Sequence, residues 1–180
     1  LCPLLPLVPR LRRTLVGTAV GAAGAVGASL PSSSRRSVCA AAGGLLQGRV
    51  CVVTGGSAGI GLAIVTALHA QGAQVVAVAR NPEKLQAAAE AVGDRVIGLS
   101  CDVTDEAAVV RLFATVAERY EGRLDLLVNC AGVLGGGDPA EISAEEFSRV
   151  LTVNVVGPFV CSREALKLMK LGTGGRILNV

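Results

Sequence analysis

The chain is 180 residues long, 51% hydrophobic and only 17% charged, with 23 glycines, a composition that suits one domain built on a buried parallel sheet covered by helices. Three Phe, one Tyr and no Trp leave no stacking platform for single-stranded nucleic acid. The net charge of +3 adds no support for nucleic-acid binding: Arg10, Arg12, Arg13, Arg35 and Arg36 all precede the first strand, no acid occurs before Glu83, and from Val50 onward the charges nearly cancel.

Six cysteines stand at positions 2, 39, 51, 101, 130 and 161 without a CxxC pair, and His69 is the one histidine, so a metal site has little to work with. Cys51, Cys101, Cys130 and Cys161 read as small core residues, and the absence of a disulfide framework points to a reducing compartment. His69 reads as a surface helix residue.

Residues 1–42 do not belong to the fold. They carry arginine, serine and alanine, repeated Pro and Gly, and no acid, which is the composition of a transit peptide. Val38-Cys39-Ala40-Ala41 resembles the loose cleavage pattern of plastid import leaders; mitochondrial presequences share the arginines. Localisation is therefore expected in the plastid stroma, with the mitochondrion as the alternative. Residues 14–30 are uncharged and long enough for a membrane span, but Gly, Ala and Thr would insert poorly, so no membrane association is expected.

Residues 50–53 (VCVV) read as a buried strand, followed by a glycine turn, Thr54-Gly55, then Gly59-Ile60-Gly61, and by a helix with Ile60, Ile64, Ala67 and Leu68 on one face. Strand, glycine turn, helix is the setting in which glycines admit a diphosphate to the backbone and the helix start offers unpaired N–H groups. Gln74–Ala79 is a second strand. Asn81 caps the next helix and Pro82 opens it, with Leu85, Ala88, Ala89 and Val92 apolar. A third strand over 95–100 ends in Cys101-Asp102-Val103. Thr104 is expected to cap a helix with Asp105 and Glu106 in its first turn, Val109, Leu112, Phe113 and Val116 forming its core face. Residues 124–128 make a fourth strand closed by Asn129-Cys130-Ala131-Gly132. After a glycine-rich loop over 135–139, Ser143 and Glu146 predict a capping box, with Phe147, Val150 and Leu151 on the apolar face. A glycine turn over 172–175 leads to a fifth strand over 176–180. Alternating strands and helices imply right-handed crossovers and a parallel sheet, with the first turn and the ends of the third and fourth strands on one crevice.

These motifs resemble the classical short-chain dehydrogenase/reductase family over about residues 45–180, the N-terminal part of such a domain. Its TGxxxGxG stands as Thr54, Gly55, Gly59 and Gly61; its adenine-contacting acid as Asp102, followed by Val103; its NNAG as Asn129-Cys130-Ala131-Gly132 with Cys in place of the second Asn; its NVxGxF as Asn154 to Phe159. The resemblance implies a three-layer, doubly wound parallel sheet of the Rossmann type, C-terminally truncated here, and hydride transfer between a nicotinamide cofactor and a small-molecule carbonyl or alcohol. It implies cofactor contacts from Thr54, Gly55, Ser57, Gly59, Ile60, Gly61, Arg80, Asn81, Asp102, Val103, Asn129, Ala131 and Gly132, and a homo-oligomer in the full-length protein. Asn129 reads equally as a core amide tying strands together.

Asn154 lies seven residues after Phe147, hence on the apolar face of the long helix, where a buried amide must be hydrogen-bonded. Pro158, four residues on, offers no N–H to its carbonyl, so a kink is expected; in the family this Asn holds a water of the proton relay. Arg80 stands just past the second strand, where an acid would bind the ribose 2′-hydroxyl of NAD. With Ala79 at the strand end and Arg80 next, helped by Ser57 and Asn81, NADP(H) is expected over NAD(H). The family's catalytic Ser and Tyr-x-x-x-Lys have no counterpart among the 180 residues: Tyr120 is the only tyrosine, and Leu124 stands four residues later. The fragment itself is expected to be inactive; the alternative is a non-catalytic dinucleotide-binding module.

Overall fold

A computed structural model describes residues 44–180, apart from 136, 139, 172 and 173. The expected leader over 1–42, and parts of the glycine turns over 135–139 and 172–175, lie outside the described residues. Five parallel strands, β1 (Val50–Thr54), β2 (Gln74–Ala79), β3 (Val96–Ser100), β4 (Leu126–Asn129) and β5 (Arg176–Asn179), form one sheet in the order β3-β2-β1-β4-β5. Strand order reverses at β1, which pairs Val50–Thr54 with Gln74–Val78 on one side and Cys51–Thr54 with Leu126–Asn129 on the other.

The pleat of β1 divides the core. Val50 and Val52 pack with Val76, Val78 and Leu127 beneath Val109, Leu112, Phe113 and Val116 of α3 (Glu106–Arg119) and Val160, Cys161 and Ala165 of α5 (Gly157–Leu171). Cys51 and Val53 pack on the other face with Val75, Ala77 and Val128 beneath Val65 and Leu68 of α1 (Gly59–Ala70) and Leu85 and Ala89 of α2 (Pro82–Val92). The fold is therefore the expected three-layer doubly wound α/β sheet of the Rossmann type. The edge strand β5 is largely exposed.

The buried face of α1 is Gly61, Val65 and Leu68, because Gly61 sits against the carbonyl of Gly55; Ile60 is 65% exposed and Ala67 is exposed too. Asp105, not Thr104, caps α3, its carboxylate accepting from the Ala108 N–H at 3.1 Å. Ser143 caps α4 (Ala144–Leu151), accepting from the Glu146 N–H at 3.1 Å, but the returning half of the box is replaced by a two-bond pair between Glu146 and Arg149. His69 is half-buried, packed against Gly93 with Nε2 at 3.6 Å from Asp94 Oδ1.

The break expected near Pro158 takes the form of a π-helical turn over Thr152–Val156, in which the Gly157 N–H reaches back five residues to the Thr152 carbonyl. Asn154 is exposed rather than buried, because Phe147 and Leu151, which share its side of the helix, themselves face solvent. Among the described residues no helix is long and apolar enough to cross a membrane.

Candidate functional site

At the carboxyl end of β1 the chain turns at Gly55, whose φ of +71° favours glycine, and the Gly56 N–H bonds the Val78 carbonyl at 3.0 Å. A Cβ on Gly55 would stand 2.9 Å from the Cys130 carbonyl, and one on Gly61 would collide with the Gly55 carbonyl. The turn is thus a tight backbone-on-backbone cradle. The start of α1 differs from those of α2, α3 and α4. These three are capped by Asn81, Asp105 and Ser143 and carry acids in the first turn; α1 begins after Ala58 with no side-chain cap and no acid. Its first N–H groups are left for an anion.

This turn opens on a cleft of about 440 Å³ that also receives Val78 to Asn81 from the end of β2, Cys101 to Val103 from the end of β3, and Cys130 to Val133 from the end of β4. Gly55, Ser57, Ile60, Gly61, Arg80, Asn81, Asp102, Val103, Ala131 and Gly132 line it together. Gly59, between the lining residues Ala58 and Ile60, is not at the wall; its φ of +53° gives it a part in the turn's shape. Thr54 is likewise not at the wall. It is 1% exposed, and its hydroxyl accepts the Cys130 and Ala131 N–H groups at 3.1 Å each, so its task is to hold the β4 loop against β1.

Asn129 also lies outside this cleft. It is 3% exposed, and its Nδ2 donates to Asn179 Oδ1 at 2.9 Å and Ser162 Oγ at 3.1 Å, which makes it the core amide that ties β4 to β5 and α5. It floors a second cleft of about 790 Å³, which shares Ile60 and Cys130 to Val133 with the first and adds Asn154, Phe159, Ser162 and Val180. The Asn154 side chain clamps Val133 there: Oδ1 accepts the Val133 N–H at 2.9 Å, and Nδ2 donates to the Val133 carbonyl at 2.8 Å. Nothing in the local sequence of Ser162 or Asn179 marks them as partners of Asn129, since the contact exists only once β4, β5 and α5 have assembled.

The polar groups of the first cleft are unequally engaged. Asp102 Oδ1 accepts from the Thr104 N–H and hydroxyl at 2.9 and 2.8 Å, while Oδ2 takes no hydrogen bond among the described residues. The Thr104 backbone bond holds this carboxyl below the usual carboxylate range against partial burial, helped by the Thr104 hydroxyl and the charge of Arg80. Arg80 is exposed and its guanidinium makes no hydrogen bond or salt bridge among the described residues, while its carbonyl accepts from Ser100 Oγ at 3.0 Å. Asn81 gives its side-chain oxygen to the Lys84 N–H at 2.8 Å, so only its Nδ2 is left for the cleft. Cys130 is half-buried, packed against the core cluster of Cys51 and Val53 and also lining both clefts, and burial pushes its thiol up, which makes it a poor nucleophile. A glycine cradle with free helical N–H groups, one carboxylate oxygen and one unpaired guanidinium together suit an extended ligand carrying phosphates and a hydrogen-bonding base.

Comparison with known proteins agrees with this arrangement. The short chain dehydrogenase family model matches residues 49–180. The chain is 39% identical over 146 residues to a 3beta-hydroxysteroid dehydrogenase of Mediterraneibacter gnavus, covering 77% of this chain and 52% of that protein. It is 39% identical over 138 residues to a D-threitol dehydrogenase of Mycolicibacterium smegmatis, covering 75% and 53%. It thus spans about half the length of the curated relatives it matches. Among solved structures, an actinorhodin polyketide ketoreductase variant with NADPH is similar at a TM-score of 0.70 and 37% identity, over 73% of this chain and 52% of that one. The chain belongs to the short-chain dehydrogenase family.

Proposed function

We propose that the protein is an NADP(H)-dependent oxidoreductase that moves a hydride between the nicotinamide ring and a carbonyl or alcohol group of a small molecule. The observation that carries the cofactor choice is Arg80, an unpaired cation on the cleft wall just past Ala79, with no acid there to repel a 2′-phosphate. The Gly55–Gly61 turn and the start of α1 would hold the diphosphate. Asp102 and the Val103 N–H would take the adenine, and Ala131 and Gly132 would let the β4 loop pass close to the ribose. Arg80, with Ser57 and the Asn81 amide, would take the 2′-phosphate. When bound, the cofactor supplies or accepts the hydride. Asn154 is proposed to serve the proton relay beside the second cleft. The relatives' printed names, a hydroxysteroid dehydrogenase and a sugar-alcohol dehydrogenase, support a small-molecule alcohol or carbonyl as the substrate class.

The same reading holds that the 180 residues by themselves do not turn over a substrate, because Tyr120, their one tyrosine, ends α3 ahead of β4, lines neither cleft and has Leu124 rather than Lys four residues on. It also holds that the full-length protein is a homo-oligomer and works in the plastid stroma, or in the mitochondrion, after removal of an acid-free leader near Ala40; N-terminal sequencing of the organellar protein checks this. Titration with NADPH and NADH tests the cofactor choice. NADPH should bind about five- to 150-fold more tightly, the worth of a charge-assisted hydrogen bond or two, and Arg80→Asp should reverse the order. Equal affinities would remove the reading.

A further inference from the structure

We propose that Thr104 is a positioning residue for adenine recognition: by binding one carboxylate oxygen of Asp102 twice, it leaves the other as a fixed, free acceptor at the cleft wall. The proposal rests on the reading that the cofactor's adenine reaches Asp102.

Thr104 reads from the sequence as the cap of α3, and the structure relieves it of that task, since Asp105 caps the helix. The Thr104 hydroxyl donates to Asp102 Oδ1 at 2.8 Å and its N–H donates to the same oxygen at 2.9 Å. The backbone of the turn is closed separately by the Asp105 N–H on the Asp102 carbonyl at 3.1 Å. The side-chain bond is therefore not needed to make the turn; what it fixes is the rotation of the Asp102 carboxylate. An aspartate at a half-exposed strand end has two free torsions, and two donors on one oxygen hold both.

An ionised carboxylate only accepts, so a held Oδ2 selects a base that presents an N–H donor. Adenine presents its exocyclic amino group. Hypoxanthine presents a carbonyl oxygen at the same position, which would face the carboxylate charge. Its N1 carries a hydrogen, which would oppose the Val103 N–H. Loosening Asp102 should thus cost adenine its bond while relieving the clash with hypoxanthine, so base discrimination is the property Thr104 controls.

The test titrates the purified protein with NADPH and with its hypoxanthine counterpart, for the wild type, Thr104→Val and Thr104→Ser. Wild type should prefer NADPH. Thr104→Val should weaken NADPH about three- to tenfold, the worth of one hydrogen bond, and change the hypoxanthine analogue by no more than about twofold. Thr104→Ser should restore the preference. Melting temperature should be unchanged in Thr104→Ser and fall only slightly in Thr104→Val, because the lost bond is exposed and Asp105 still caps α3. A Thr104→Val protein that keeps full discrimination, or that loses affinity for both ligands alike, overturns the proposal. A wild type that binds both ligands equally overturns the adenine reading and the proposal with it, and a wild type that binds neither overturns the cofactor reading as well.

Discussion

Two aspartates stand at opposite ends of this parallel sheet and are treated in opposite ways. Asp125, just before β4, is 9% exposed at its side chain. Its Oδ1 accepts from Arg49 at 2.6 Å, and its Oδ2 accepts from the Val50 N–H at 2.8 Å and from Arg123 Nε at 3.0 Å. Its own N–H bonds the Val50 carbonyl and its carbonyl accepts from Arg176, so one residue stitches the amino ends of β1, β4 and β5. Asp102, just after β3, has one oxygen held by a single neighbour and the other free. A sheet end whose carboxylate has both oxygens satisfied internally is built for stability. One that leaves a carboxylate oxygen, a guanidinium and a row of helical N–H groups unpaired is built for a ligand.

The change expected to be largest strikes the ligand end through its backbone. Gly61→Ala places a methyl against the Gly55 carbonyl, an atom that cannot rotate away. The turn must shift, at roughly 3 kcal/mol, the upper part of the usual range for overpacking, and NADPH binding should be lost with it. A Gly61→Ala protein that melts and binds like the wild type would show that the cradle yields.

Next in size is an exchange between the two aspartates. Asp125→Ala leaves the buried Val50 N–H without its partner and should lower stability by about 1–3 kcal/mol while leaving NADPH affinity alone. Asp102→Ala should do the reverse: stability within about 0.5 kcal/mol of wild type, and NADPH binding weaker by roughly ten- to 150-fold, the worth of a hydrogen bond to a charged acceptor. Chemical denaturation and ligand titration of both variants give four numbers, and any other pattern breaks the contrast.

The acid response sharpens it. Burial alone would raise the Asp125 carboxyl, but the bonds from Val50 and Arg49 and the charges of Arg123 and Arg49 outweigh it, and the net displacement is downward from 3.8. A carboxyl depressed by folding stabilises the native state above its unfolded value and loses that contribution as pH falls through the lower folded value. The deficit of Asp125→Asn against wild type should therefore be full at neutral pH and shrink below about pH 4 as the wild-type carboxylate protonates. Urea midpoints measured across that range check the sign.

What could be read in the sequence was what local chemistry decides. β2 lies over Gln74–Ala79 as its apolar run indicates, and Asn81-Pro82 opens α2 because cap and first-turn preferences need only four neighbouring residues. Asp125 has no local signature inside its apolar run, since its partner Arg49 is 76 residues away. The α3 cap slipped by one residue because Thr104 and Asp105 are both good caps, and the choice fell to Asp102, which claims the Thr104 hydroxyl. The face of α1 turns on Gly61, which reads locally as a turn residue but seats the helix through its contact with Gly55. At the site, the glycine, acid and arginine positions follow from strand ends. Thr54 and Asn129 enter as members of the two family motifs, and three-dimensional packing shows the bracing bonds that each makes.

The smallest effect belongs to Asn154, whose amide holds Val133 by two bonds at an exposed position. Water can replace both bonds, so Asn154→Ala should cost no more than about 1 kcal/mol, against the larger loss at buried Asp125. Its signature should be local: faster hydrogen exchange at the Val133 amide, with the amides of β1 unchanged. The substitution keeps the backbone carbonyl of residue 154 and removes only the side chain, and Pro158 still supplies no N–H four residues on. If the relay draws on that carbonyl, the variant should retain the solvent isotope effect on turnover in the full-length protein while binding NADPH less tightly, because Val133 lines both clefts. If the amide itself carries the relay, turnover should fall and the solvent isotope effect should change, on top of the same loss of cofactor affinity. The two ends of the sheet would then differ in a further respect: at the amino end a side chain that is removed takes stability with it, and at the carboxyl end it takes function.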